Sequence, residues 1–142
     1  MELIKLQGQI LENQKLNKGQ QVEKIVTEYY GLEYKLDNNN HLVSSDIEIA
    51  DLKLSVKSKD CSLDNKTNHN DLENSIQEFI TNDYSNTYAY VTTTSIENQL
   101  NMYLMNKEEF GKFLHQFASI TSDKKFRIRV CDKKINTWFA FQ

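Results

Sequence analysis

The pattern of apolar residues predicts a mixed α/β protein, a mixed β-sheet flanked by helices. Three observations carry this. Residues 43–58 alternate apolar and polar with a single change of phase. Helical stripes stand on both sides of that stretch. Further alternating stretches follow between later helical ones. Period two marks half-buried strands and period 3.6 marks amphipathic helices, and their succession is that of a layered α/β fold.

Leu3, Ile4, Leu6, Ile10 and Leu11 fall roughly at helical spacing and predict a first helix over 3–16. Val22, Ile25, Val26 and Tyr29 form an i, i+3, i+4, i+7 stripe, a second helix from about Gly19 to Tyr30 that Gly31 is placed to end. Leu32, Tyr34 and Leu36 alternate with Glu33 and Lys35, a strand signature, and Asn38-Asn39-Asn40 then reads as a turn. In 43–58, Ile47, Ile49, Leu52, Leu54 and Val56 are apolar, while Asp46, Glu48, Lys53, Ser55 and Lys57 are polar. The phase flips between Ala50 and Asp51, as in a tight hairpin. Ala-Asp is a poor type I′ turn, so a four-residue loop centred there is also compatible. Asn70 is placed to cap a third helix, with Asp71 and Glu73 in its first turn and Leu72, Ile76, Phe79 and Ile80 as its core stripe. Strands are expected at Tyr88–Thr92 and Leu100–Leu104, and a helix from about Lys107 to Ile120. The alternating stretches Phe126–Cys131 and Ile135–Phe141 read as a closing hairpin.

The chain has 142 residues, no proline and four glycines, so linker composition is missing and a single domain over 1–142 is expected. The net charge of −3 argues against coating nucleic acid through bulk charge, though not against a local basic groove. Cys61 and Cys131 are far apart and lack zinc-ligand spacing, which reads as two free thiols in a reducing cytoplasm. The N-terminal apolar residues are broken by charges, unlike a signal peptide, and no apolar run approaches membrane-spanning length, so no membrane partner is expected.

Centring the hairpin between Ala50 and Asp51 sets 49 against 52, 47 against 54, and 46 against 55. Asp46 and Ser55 then oppose each other on one face, with Lys57 a diagonal step away and Glu48 opposite Lys53. A carboxylate and an ammonium on rigid strands suit metal-assisted phosphoester hydrolysis: the acid ligates the ion and the lysine orients or helps to deprotonate water. Oxygen donors without His or Cys favour Mg²⁺ or Mn²⁺.

Asn17-Lys18-Gly19-Gln20-Gln21-Val22-Glu23 resembles the KGxxxE segment that opens the first helix of archaeal-type Holliday junction resolvases. Ser45-Asp46-Ile47-Glu48-Ile49 is similar to their aspartate strand, and Leu54-Ser55-Val56-Lys57-Ser58 to their (Glu)-x-Lys strand. Together these resemble the PD-(D/E)XK nuclease superfamily, which includes many type II restriction endonucleases. The likeness covers about 17–93 and implies a restriction-endonuclease-like αβββαβ core, with a C-terminal helix and hairpin over about 107–142. It implies a metal-dependent endonuclease acting on double-stranded or branched DNA with Mg²⁺ or Mn²⁺. Asp46 would then be the metal-binding acid, Lys57 the catalytic lysine, and Glu23 the helix glutamate supporting the metal shell. Ser55 stands where the family has its second acid. Asp71 or Glu48 are the candidates to supply it; otherwise the chain is a degenerate relative kept for nucleic-acid binding or assembly. Lys53, Lys59, Lys66, Arg127 and Arg129 are the candidate phosphate contacts. A homodimer, joined through the first helix or the C-terminal hairpin, is expected to set two sites across a duplex.

Overall fold

The computed structural model describes residues 1–35, 46–58, 61–64, 71–123 and 125–142, with 61–64 described in their backbone alone. It is α/β: a five-stranded mixed sheet with helices on both faces and a smaller three-stranded sheet. In chain order the elements are β1 (Glu2–Gln7), α1 (Lys18–Tyr29), β2 (Ile47–Ile49), β3 (Leu52–Ser58), β4 (Cys61–Asp64), α2 (Leu72–Asn82), β5 (Thr87–Thr93), β6 (Gln99–Asn106), α3 (Lys107–Phe117), β7 (Ala118–Ile120), β8 (Lys125–Ile128) and α4 (Asp132–Ala140). The large sheet runs β1-β6-β5-β3-β2 and the small one β4-β8-β7.

Among the described residues the only parallel pair is β3 with β5, and α2 lies between them in the chain. Parallel neighbours need such a crossover, whereas β2–β3 and β5–β6 close as antiparallel pairs. Each face of the sheet carries its own apolar cluster. On one, Leu54, Val56, Ala89, Val91 and Met102 meet Val22 and Val26 of α1. On the other, Tyr88, Tyr90, Tyr103 and Met105 meet Phe79 of α2, Phe110 and Phe113 of α3, Phe126 and Ile128 of β8, and Ile135 of α4. A sheet covered on both faces explains the near-continuous apolar run in β5 and β6.

The expected 3–16 helix is instead β1 at the sheet edge, paired with β6 from Glu2↔Leu104 to Gln7↔Gln99. Leu3 packs on the aromatic cluster while Ile4 and Leu6 pack on the α1 cluster. Adjacent apolar residues that serve opposite faces of a sheet mimic a helical stripe in sequence. Leu32–Lys35 carry no strand, and the rest of that expected strand and the Asn38–Asn40 turn lie outside the described residues. The cap of α2 is Asp71 rather than Asn70, which also lies outside them. The Lys107 helix stops at Phe117, and 118–120 join the small sheet. The closing hairpin is replaced by β8 and α4. Ile135, Trp138 and Phe139, at i, i+3 and i+4, reach the aromatic cluster from a helix, so the period-two reading of 135–141 chose the wrong one of two compatible periods.

The hairpin register is as expected: Ile47↔Leu54, Glu48↔Lys53 and Ile49↔Leu52. Its loop is the two-residue one, which puts Ala50 at a φ of 50°. Asn86, at the entrance to β5, secures it. The Asn86 N–H donates to Lys53 O at 2.9 Å, Lys53 N–H donates to Asn86 Oδ1 at 3.0 Å, and Asn86 Nδ2 donates to Asp51 O at 2.7 Å. These bonds offset the cost of a left-handed alanine, of order 1–2 kcal/mol.

Candidate active site

Backbone pairing of β2 with β3 ends at Ile47↔Leu54, and there the Asp46 side chain takes over. Its Oδ2 accepts the Val56 N–H at 2.7 Å, where a β2 carbonyl would otherwise continue the ladder. The carboxylate is exposed, and only one of its oxygens is used in this bond.

Strand alternation divides β3. Leu54 and Val56 enter the α1 cluster, so Ser55 and Lys57 stand on the opposite face. Their register partners on β5 are Tyr88 and Tyr90, both fully buried. Ser55 is 8% exposed and Lys57 is half-buried. A flexible ammonium on a long, half-covered stem can bring its charge to the sheet margin, whereas a buried serine offers a weak ligand at best. Asp46 and Lys57 are thus held on one hairpin, although no ion pair within 4.0 Å joins them.

Glu23 comes from α1, which Asn17 caps in a reciprocal capping box with Gln20. Its negative charge and that of Asp46 both reach Tyr34, one of the alternating apolar residues of 32–36. Burial raises the Tyr34 phenol above its ordinary value, and the negative charges of Glu23 and then Asp46 raise it further. Two of the expected acids, from different elements, therefore act on one phenol.

The other candidates are distributed differently. Glu48 is exposed opposite Lys53, whose ammonium lies 4.5 Å over the Tyr84 ring. Asp71 is committed to its helix: Oδ1 accepts the Asn74 N–H at 2.8 Å and Oδ2 accepts Asn74 Nδ2 at 3.0 Å. That use of both oxygens stands against Asp71 as the second acid. Among the described residues, no three His, Cys, Asp or Glu side chains gather as a metal site. Arg127 is half-buried on β8 and Arg129 is exposed just after it. Lys59 and Lys66 lie outside the described residues, as does Ser45.

One polar cluster on the Lys57 face was missed. Asp132 Oδ1 accepts three hydrogen bonds, from Thr92 Oγ1 at 2.5 Å, Asn101 Nδ2 at 3.0 Å and Tyr103 OH at 2.7 Å. Burial first, and then the bond to Asp132, push the Tyr103 phenol far above its ordinary value. The cluster fixes the start of α4 on the ends of β5 and β6. Its signal was present: Thr92, Asn101 and Tyr103 fall on the inward phase of two strands that the sequence does predict, and buried polar groups need partners.

Comparison of the chain with protein-family models, with curated proteins and with solved structures returns no match.

Proposed function

We propose that the chain is a metal-dependent endonuclease that hydrolyses phosphodiester bonds in DNA, double-stranded or branched. The observation that carries this reading is the Asp46–Val56 bond at the end of the hairpin, which fixes one carboxylate oxygen beside the strand that bears Lys57. The remaining Asp46 oxygen is a hard donor of the type that holds Mg²⁺ or Mn²⁺ together with water and substrate phosphate. Bound there, the ion would neutralise charge developing on the phosphate. Lys57 orients the attacking water and helps to take its proton. Glu23 supports the same locality from α1, in line with the field that it and Asp46 exert on Tyr34. The carboxyl ends of parallel strands in an open sheet are a favoured place for such a site, and Lys57 lies near that end of β3. A homodimer in a cytoplasmic setting belongs to the same proposal; with 3–16 a strand and 132–140 a helix, its interface is not assigned to either expected element.

A second reading, a catalytically degenerate relative that binds nucleic acid or serves in assembly, is favoured by one observation. Ser55 is buried and carries no charge, and both Asp71 oxygens accept hydrogen bonds from Asn74, which weighs against either position as the second acid of the motif.

Cleavage of plasmid duplex, single strands, four-way junctions and RNA, with Mg²⁺ or Mn²⁺ and with EDTA, separates the two. Metal-dependent cutting that disappears in Lys57→Ala supports the endonuclease, and the substrate cut best names its class. A folded protein that cuts nothing supports the degenerate relative.

A further inference from the structure

The small sheet carries a cation that the site described above does not use. Phe126 and Ile128 on β8 are fully buried in the aromatic cluster, so Arg127 between them stands on the outer face. β8 is the central strand, and the register partners of Arg127 are Ser119 on β7 and Ser62 on β4. Arg127 is nevertheless half-buried, and its Nε is enclosed with no hydrogen-bond partner among the described residues. Among the described residues no carboxylate lies within ion-pair distance of it; Lys125 and Asp123, both exposed, pair with each other at 3.9 Å. The Asp123 carboxyl is held below its usual range by the Thr121 hydroxyl first, and then by Lys125 and Arg127, so it shares the guanidinium's field without bonding to it.

An enclosed guanidinium N–H that bonds to nothing is costly, and partly buried charges are ordinarily paired. Its planar fork matches phosphate, and Ser119 beside it is exposed and can donate a hydroxyl to the same anion. The chain also ties this face to the candidate active site. Ser62 follows Lys57 by five residues, a path of at most about 17 Å, and Arg127 is one strand spacing of about 5 Å further on. We propose that Arg127, with Ser119, binds a backbone phosphate of the nucleic acid flanking the reacting one. The inference rests on the proposed function only for the origin of that phosphate.

The chain has two arginines, Arg127 and Arg129, so its ¹⁵N-labelled Nε–H spectrum holds two resonances, which Arg127→Lys assigns. Wild-type protein in EDTA, where metal-dependent cutting is silent, is titrated with a short DNA duplex and, separately, with inorganic phosphate. The expected result is a saturable shift of the Arg127 resonance with DNA, at concentrations where inorganic phosphate has no effect. In a binding assay, Arg127→Lys is expected to weaken the duplex at least fivefold, since lysine keeps the charge but not the fork. Arg127→Ala is expected to lower the salt slope of binding by about 0.9, the release of one counterion. Lys112→Gln, which removes a charge from exposed α3, leaves both unchanged. An unmoved Arg127 resonance, a response to phosphate alone, or equal losses in Arg127→Lys and Lys112→Gln would overturn the assignment. Cleavage without an Arg127 shift would refute this inference and leave the endonuclease standing; a shift without cleavage on any substrate would do the reverse.

Discussion

The Asp46 carboxylate closes the β2–β3 ladder by accepting the Val56 N–H at 2.7 Å. One residue thus serves two tasks, finishing a hairpin and offering an oxygen to the site. The tasks separate by substitution. Asp46→Asn keeps an oxygen that can accept from Val56, so its melting temperature is expected to stay within about 2 °C of wild type while metal-dependent cleavage falls by two orders of magnitude or more. Asp46→Ala loses the bond as well and is expected to cost about 1 kcal/mol in denaturant unfolding. Equal activity in Asp46→Asn and wild type would remove Asp46 from the site.

Lys57 faces the aromatic side of the sheet opposite Tyr90, and among the described residues its ammonium has no ion-pair partner within 4.0 Å. Removing it therefore breaks no salt bridge among the described residues. Lys57→Ala is expected to lose at least 100-fold in kcat with a stability change under about 1 kcal/mol. Lys57→Arg is not expected to rescue, because arginine cannot give up its proton at working pH. A Lys57→Arg variant with wild-type kcat would limit the residue to holding charge.

Much of the fold was legible where one periodicity dominated. The hairpin register followed from the single phase flip at Ala50-Asp51, and α1, α2, α3, β5 and β6 followed from stripes of one kind. The failures share a cause. Leu3, Ile4 and Leu6 serve opposite faces of a sheet edge, and Ile135, Trp138 and Phe139 suit a helix although their neighbours alternate. Both stretches are short, and only the partner surface decides between the periods. The placement of Asp46 and Lys57 on one hairpin was equally legible, because register alone sets it. What Asp71 does was not: an acid just before a helix is both a cap and a ligand candidate until its bonds are seen. For the Asp132 cluster only half was legible: the inward phase of Thr92, Asn101 and Tyr103 calls for a partner, but which residue supplies it is not local, since Asp132 lies 29 to 40 residues away.

Asp71 can be tested as a cap. Its carboxylate holds Asn74 through both backbone and side chain at the start of α2. Asp71→Ala is expected to destabilise by about 1 kcal/mol, and Asp71→Ser, which still caps, to recover most of that. Cleavage per folded molecule is expected to be unchanged in both. A loss of activity in Asp71→Ser at normal stability would restore Asp71 as the second acid of the site.

Tyr103 gives the alkaline behaviour. Its phenol is buried and donates to Asp132 Oδ1 at 2.7 Å, and Tyr88 is likewise buried and donates to Asp83 Oδ2 at 2.7 Å. Both phenols are raised well above 10.0, the value for an exposed tyrosine, burial being the first cause in each. The unfolded chain therefore releases these protons at a lower pH than the folded one. Stability from this source is complete below about pH 10, falls as pH rises above it, and goes on falling until the folded phenols titrate. Urea unfolding between pH 8 and 11 is expected to show that decline. Tyr103→Phe is expected to lose about 1 kcal/mol at pH 8, the worth of one hydrogen bond, and then to decline less steeply above pH 10 because one of the two most strongly raised phenols is gone. An unchanged alkaline slope in Tyr103→Phe would mean that the Asp132 cluster is open to water and does not fasten α4 to the sheet.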